Sequence, residues 1–160
     1  MMNSAKWPAK VLTVSDGVVA GQRDDASGRA LVALLDAQGF EVVEHTVVSD
    51  GDDVVAEALR RLCRNFAGLV VTTGGTGFAP RDQTPEGALQ VIERQAPGLA
   101  EAMRAINPLG RLSRGVAGVA GSAIIVTLPG SPRGCVEQLE AVIDVLPHAL
   151  ALLNEAPTSH

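Results

Sequence analysis

Aromatic residues are nearly missing from this chain, which has no tyrosine, one tryptophan and three phenylalanines in 160 residues. Its 46% hydrophobic content must therefore come from Ala, Val, Leu and Ile, the composition of helices packed on a parallel sheet. Basic charge is also short: 13 Lys and Arg against 18 Asp and Glu leave a formal net charge of -5. That balance excludes broad electrostatic attraction to nucleic acid and makes any phosphate site a local feature. Cysteine is limited to Cys63 and Cys135, which form no CxxC and have no His at metal-ligand spacing, so neither zinc nor a disulfide framework is implied. No apolar run approaches the length of a membrane span, and "MMNSAKWPAK" lacks the apolar region of a signal peptide. The expectation is a soluble, unexported, cytoplasmic protein with neither nucleic acid nor membrane as partner.

What is present is an alternation of strand-like and helix-like segments. "KVLTV" reads as a strand ending at Ser15-Asp16-Gly17, and "SGRALVALLDAQG" as a helix capped by Ser27 and stopped by Gly39. "FEVVEHTVV" gives a second strand ending at Ser49-Asp50, followed by a helix opened by Asp52 or Asp53. "GLVVTT" is apolar enough to lie centrally in a sheet. Further on, Thr84 should cap a helix starting at Pro85 and running to about Arg94, and "APGLAEAMRAIN" should form another. "GVAGVAGSAIIVTL" predicts two strands bent at Gly121-Ser122, followed by a helix from about Cys135 to Leu153 that Pro147 kinks or splits. The pattern predicts an α/β fold, a three-layer α/β/α sandwich with a mostly parallel central sheet. It is expected as one domain over residues 1–160, with an ordered core of about 8–154 and frayed ends at residues 1–5 and 155–160.

In such a sheet, ligands bind beyond the carboxyl ends of the strands, and this is where the unusual residues fall. "GGTG" (Gly74, Gly75, Thr76, Gly77) has no large side chains to keep a ligand from its backbone N–H groups, and it leads to a helix N-terminus. It is neither a P-loop nor a GxGxxG fingerprint, so taken alone it reads equally as a plain strand-to-helix turn or an anion site. Arg81 could pair with Asp82 or with another surface neighbour. Alternatively, Asp82 and Asp50 could meet across neighbouring strand ends and bind Mg2+, which takes oxygen ligands and bridges to substrate phosphates. Two carboxylates and a glycine cradle suit nucleotidyl transfer, where positioning and charge neutralisation dominate and no side-chain nucleophile is needed.

A second loop, "LPGSPRG", repeats the arrangement with Pro129, Gly130, Ser131, Pro132 and Arg133, although a capped Pro-Gly turn accounts for it equally well. Ser113 and Arg114 in "LSRG" are candidate phosphate ligands or a solvated loop, and Asp25, Ser27 and Gly28 are a helix cap or a site rim. His45 and His148 read as structural or exposed, and Cys63 and Cys135 as small buried thiols.

"TTGGTGFAPRDQTPEG" resembles the signature of the molybdenum-cofactor biosynthesis family that contains the molybdopterin adenylyltransferases and the G domain of gephyrin. "LTVSDG", "DDASG", "VVSD", "VIERQAPGLAEAMR", "PLGRLSRGVAG" and "LPGSPRG" follow the family's order, covering residues 10 to about 153. The resemblance implies a homotrimer of α/β/α sandwiches. Its adenylyltransferase members use Mg2+ to transfer AMP from ATP to the terminal phosphate of molybdopterin, releasing pyrophosphate. A molybdenum-insertion protein is the implied downstream partner. The family's two essential aspartates, catalytic and metal-binding, match Asp50 and Asp82. Ser15, Asp16 and the "GGTG" loop should line the site, with Pro129, Gly130, Ser131 and Pro132 binding nucleotide or pterin phosphate.

Two departures stand out. Where many members read "VPDE", this chain reads "VSDGDD", so Asp53 competes with Asp50 for the metal. Residues that eukaryotic G domains carry before "PLGRLSR" are also missing. The alternative function is a molybdopterin-binding member without turnover, and a third is a scaffold or trimerisation module. Retention of both aspartates favours the enzyme.

Overall fold

The computed structural model describes residues 5–158. Its strands are β1 (Pro8–Val14), β2 (Glu41–Val48), β3 (Leu69–Thr73), β4 (Arg94–Gln95), β5 (Ala117–Ala120) and β6 (Ala123–Leu128). Its helices are α1 (Asp16–Val19), α2 (Ala26–Ala37), α3 (Asp52–Cys63), α4 (Thr84–Leu89), α5 (Pro97–Ala105), α6 (Pro132–Glu140) and α7 (Leu146–Leu153), with a 3-10 turn at Pro108–Leu112.

The strands form one sheet in the order β2-β1-β3-β6-β5-β4. The first four are mutually parallel, and both pairings of β5 are antiparallel, so β5 alone opposes the others. Every residue of β3 and β6 is buried, as expected for strands covered on both faces.

Alternation along the strands divides the core in two. Val11, Leu69, Val71, Ile124 and Val126 face Leu31, Leu35, Met103, Leu139 and Leu146 of α2, α5, α6 and α7. Leu12, Val70 and Ile125 point the other way, against Val55, Leu59 and Leu62 of α3 and Ala88 of α4. These are the three layers. Helix α3 shows the local logic: its apolar residues recur at helical spacing, Asp52 and Asp53 lie in its first turn, and Arg60 and Arg61 lie in its last.

Several sequence expectations shift. Asp25, not Ser27, caps α2, because its carboxylate accepts from Gly28 N–H and is also held by Thr13 and His45. Thr84 is the first residue of α4, and its hydroxyl donates to the Gly74 carbonyl instead of capping the helix. That helix ends at Leu89, since Arg94 and Gln95 pair with β5 over Gly118, where any Cβ would collide with Ile92 and the Arg94 carbonyl. A short helix, α1, occupies an expected loop, with Ser15 Oγ accepting from Val18 N–H. The C-terminal helix is indeed split, but it begins at Pro132.

Of the ends expected to be frayed, residues 1–4 and 159–160 lie outside the described residues. Glu155 and Ala156 are tied to α7 by N–H bonds to Leu152 O (3.3 Å) and Ala151 O (2.8 Å), a Schellman closure with Glu155 at φ 53°.

Candidate functional site

The chain reverses direction across the sheet between β1 and β3, and a cavity of about 680 Å³ opens beyond the carboxyl ends of the strands. Its floor comes from three strand ends. The end of β3 is stitched to the β6 loop: Thr73 Oγ1 donates to Pro129 O at 2.8 Å, and Gly74 N–H donates to Leu128 O at 3.0 Å. Gly74 has φ 103°, and a Cβ there would strike the Val14 carbonyl, so only glycine fits between β1 and β6. Gly130 packs in turn on Gly74, with its would-be Cβ 3.3 Å from Gly74 Cα. The two glycine loops therefore form one wall.

The carboxylates are placed by reciprocal bonds. Asp50 Oδ2 accepts from Asp16 N–H at 3.0 Å, while Asp50 N–H donates to Asp16 Oδ1 at 3.1 Å, tying β2 to β1. Arg81 clamps this pair, with Nε to Asp16 Oδ2 at 2.6 Å and Nη2 to Asp50 O at 3.1 Å. Arg81 holds the Asp16 carboxyl below the usual carboxylate range. Asp50 is pushed the other way, chiefly by burial and further by the charges of Asp16 and Asp82, despite the Asp16 N–H. Asp82 folds back on its own loop, where Oδ2 accepts from Ala79 N–H at 3.0 Å and would crowd a Cβ on Gly77 to 2.9 Å.

Asp50, Asp82, Ser15, Gly74, Gly75, Thr76, Gly77, Ser113, Pro129, Gly130, Ser131 and Pro132 all line the cavity. Asp16 and Arg114 do not. Asp16 is committed to Arg81, and Arg114 braces the glycine loop from behind. Its Nε donates to Gly77 O at 2.8 Å, its Nη2 to Asp82 O at 2.6 Å, and its guanidinium pairs with Glu86. The Arg81–Asp82 surface pair does not form, since Arg81 reaches Asp16. Asp53 is also away from the cavity, bonded to Gln90, and Arg133 pairs with Glu137. His45 is structural, bonded to Asp25 at 2.9 Å. Both cysteines are free thiols, pushed up to about 11 by burial.

Sequence reasoning missed Thr13, Arg23, Asp24 and Thr73, which also line the cavity. Thr13 and Thr73 are the last inward-facing strand residues before the loops, a periodicity signal that could have found them. Arg23 has no such local signal. Among the described residues, no group of three or more His, Cys, Asp or Glu is placed to hold a metal ion, and no helix is long and apolar enough to cross a membrane. The arrangement can receive an anionic ligand on a glycine-lined wall, with the carboxylates of Asp24, Asp50 and Asp82 lining the same space.

Comparison with known proteins gives four findings. A family model described as "Probable molybdopterin binding domain" matches residues 10–148. Molybdopterin adenylyltransferase of Helicobacter pylori is 37% identical over 150 residues, covering 89% of this chain and 85% of that protein. Gephyrin of Dictyostelium discoideum is 34% identical over 168 residues, covering 96% of this chain, which spans only 23% of gephyrin's length. Among solved structures, the molybdopterin biosynthesis enzyme MoaB of Thermus thermophilus superposes with a TM-score of 0.88 at 43% identity, covering 94% of this chain and 98% of that one.

Proposed function

Since the chain belongs to the molybdopterin-binding domain family of molybdenum cofactor biosynthesis, we propose that it is a molybdopterin adenylyltransferase. In this reading, a terminal phosphate oxygen of molybdopterin attacks the α-phosphorus of ATP. A new P–O bond forms there, the bond from that phosphorus to the bridging oxygen breaks, and pyrophosphate leaves with the bonding pair. The observation that supports it most is the convergence of Asp50, Asp82 and both glycine loops on one cavity.

The residues fit a magnesium ion. Asp50 and Asp82 are hard oxygen donors on the same cavity, and Asp50 is strained toward protonation by its burial and by neighbouring negative charge, a state that a divalent cation relieves. Asp50 and Asp82 would hold Mg2+, which would supply charge neutralisation for the reacting phosphoryl oxygens. The protein's own work is positioning. Backbone N–H groups of Gly75 to Gly77 are offered to phosphate, Ser131 and Pro132 bring a helix start to the cavity, and the wall fixes the distance between the two substrates. Assembly as a homotrimer, cytoplasmic location and delivery of product to a molybdenum-insertion protein belong to the same reading.

The test supplies purified protein with molybdopterin, ATP and Mg2+ and measures adenylylated pterin and pyrophosphate in equal amounts. Pterin binding without product would replace this reading with the binding-only one.

A further inference from the structure

Of the residues lining the cavity, three are aspartates and only one, Arg23, is a Lys, Arg or His. The other arginines around it are engaged: Arg81 by Asp16, Arg114 by Glu86 and two loop carbonyls, Arg133 by Glu137, and Arg29 by Asp24. Arg23 is different. Among the described residues, no carboxylate lies within ion-pair distance of its guanidinium, and its neighbour Asp24 is already taken by Arg29 through two bonds of 2.5–2.6 Å.

The loop holds this side chain toward the cavity. Arg23 N–H donates to Gly17 O at 3.1 Å, and a Cβ on Gly17 would lie 3.4 Å from Arg23 Cβ and 3.8 Å from its Nε and from Ser15 Oγ. The absent side chain of Gly17 is thus the space along which the arginine stem runs.

An arginine kept free of carboxylates beside a cavity with acidic lining is placed for a ligand that brings its own negative charge. We infer that Arg23 is a substrate-binding residue that donates to a phosphoryl oxygen of the anionic substrate. This deepens the adenylyl-transfer reading and rests on it for the substrate class. The chemistry is shared by the phosphate chain of ATP and the terminal phosphate of molybdopterin. Asp50 and Asp82 would hold the cation, and Arg23 would add the one cationic side chain of the lining.

The experiment compares wild type with Arg23→Gln, Arg23→Lys and Arg29→Gln. Dissociation constants are measured separately for Mg-ATP and for molybdopterin, alongside KM, kcat and thermal melting. Arg23→Gln is expected to weaken one of the two ligands by about tenfold or more, the scale of a charge-assisted hydrogen bond at a solvent-accessible site. The ligand affected identifies the phosphate. The melting temperature should stay unchanged, Arg23→Lys should recover much of the loss, and Arg29→Gln, which releases Asp24 beside Arg23, should weaken the same ligand less than Arg23→Gln does.

Affinities of Arg23→Gln within about twofold of wild type for both ligands would overturn the inference. So would equal weakening in the Gln and Lys variants accompanied by a lowered melting temperature, which would mark a structural role. If wild type binds but does not turn over and Arg23→Gln still loses affinity, the inference stands and adenylyl transfer fails. Wild type that binds neither ligand overturns both.

Discussion

Replacing Gly75 with alanine puts the glycine loop to a quantitative test. Gly75 sits at φ 70°, where an L-residue costs about 1–2 kcal/mol. The added methyl would fall inside the van der Waals shell of Thr84 Oγ1, 3.2 Å from Thr84 Cβ and 3.3 Å from Asp50 Oδ1. Thr84 is fully buried and cannot swing into solvent. Moving it breaks its 2.9 Å bond to Gly74 O, worth about 1 kcal/mol, and overpacking a buried site adds about 1–3 kcal/mol. Together these predict a loss of about 3–6 kcal/mol, or a melting temperature lower by about 9–18 °C for a domain of this size. Asp50 is displaced as well, so turnover should fall more than stability alone accounts for at a temperature where the variant is folded. Gly98→Ala is the control: a Cβ there meets nothing within 4 Å in α5, and it should stabilise by about 0.5 kcal/mol. Denaturant unfolding and product formation are measured on both variants. A Gly75→Ala protein as stable as wild type would refute the claim that Thr84 and Asp50 fix this turn.

Three further outcomes follow from the same geometry. Asp50→Asn should lose about a hundredfold or more in product formation yet melt at a higher temperature than wild type at pH 7 without ligands. The sign follows from the raised pKa of Asp50: its ionisation favours the unfolded chain as pH rises through the folded value, so the gain should vanish below about pH 4, where the carboxyl is protonated in both states. Arg114→Ala should destabilise by about 1–2 kcal/mol and lower kcat, because the bonds to Gly77 O and Asp82 O are lost, and Arg114→Lys should not restore them since an ammonium lacks the planar fork. Glu155→Gly should stabilise by about 0.5–1 kcal/mol in denaturant unfolding, since glycine accepts the left-handed φ of 53° that closes α7.

The parts of the molecule legible in the sequence are those fixed by local rules. Runs such as "LVVTT" and "AIIVTL" announced buried central strands, Gly121-Ser122 announced the hairpin, and Pro147 announced the break before α7. The carboxylates Asp50 and Asp82 were visible as acidic residues at strand ends, and the structure brings them to one cavity. What was not legible depends on contacts between distant segments. Thr84 looks like a helix cap until the Gly74 carbonyl is placed beside it, and Asp25 outcompetes Ser27 because Thr13 and His45 approach from two other elements. Two-residue β4 has no periodicity to detect. Arg23 reaches the cavity only because its loop folds back on Gly17.

The same long-range contacts explain how an acidic site is held together. Asp16 and Asp50 bring two carboxylates to neighbouring strand ends, an arrangement that like-charge repulsion opposes. Backbone N–H donors answer part of that repulsion: each aspartate accepts one from the other's main chain, so the bond that brings them together also offsets their charge. Arg81 answers the rest, directly on the Asp16 carboxylate through Nε and Nη2 and only at longer range on the Asp50 carboxylate. The division is asymmetric by construction. Asp16 is paired and tied down, while Asp50 keeps Oδ1 without a hydrogen bond among the described residues and lines the cavity. One aspartate thus serves the scaffold, and its neighbour lines the cavity together with Asp82.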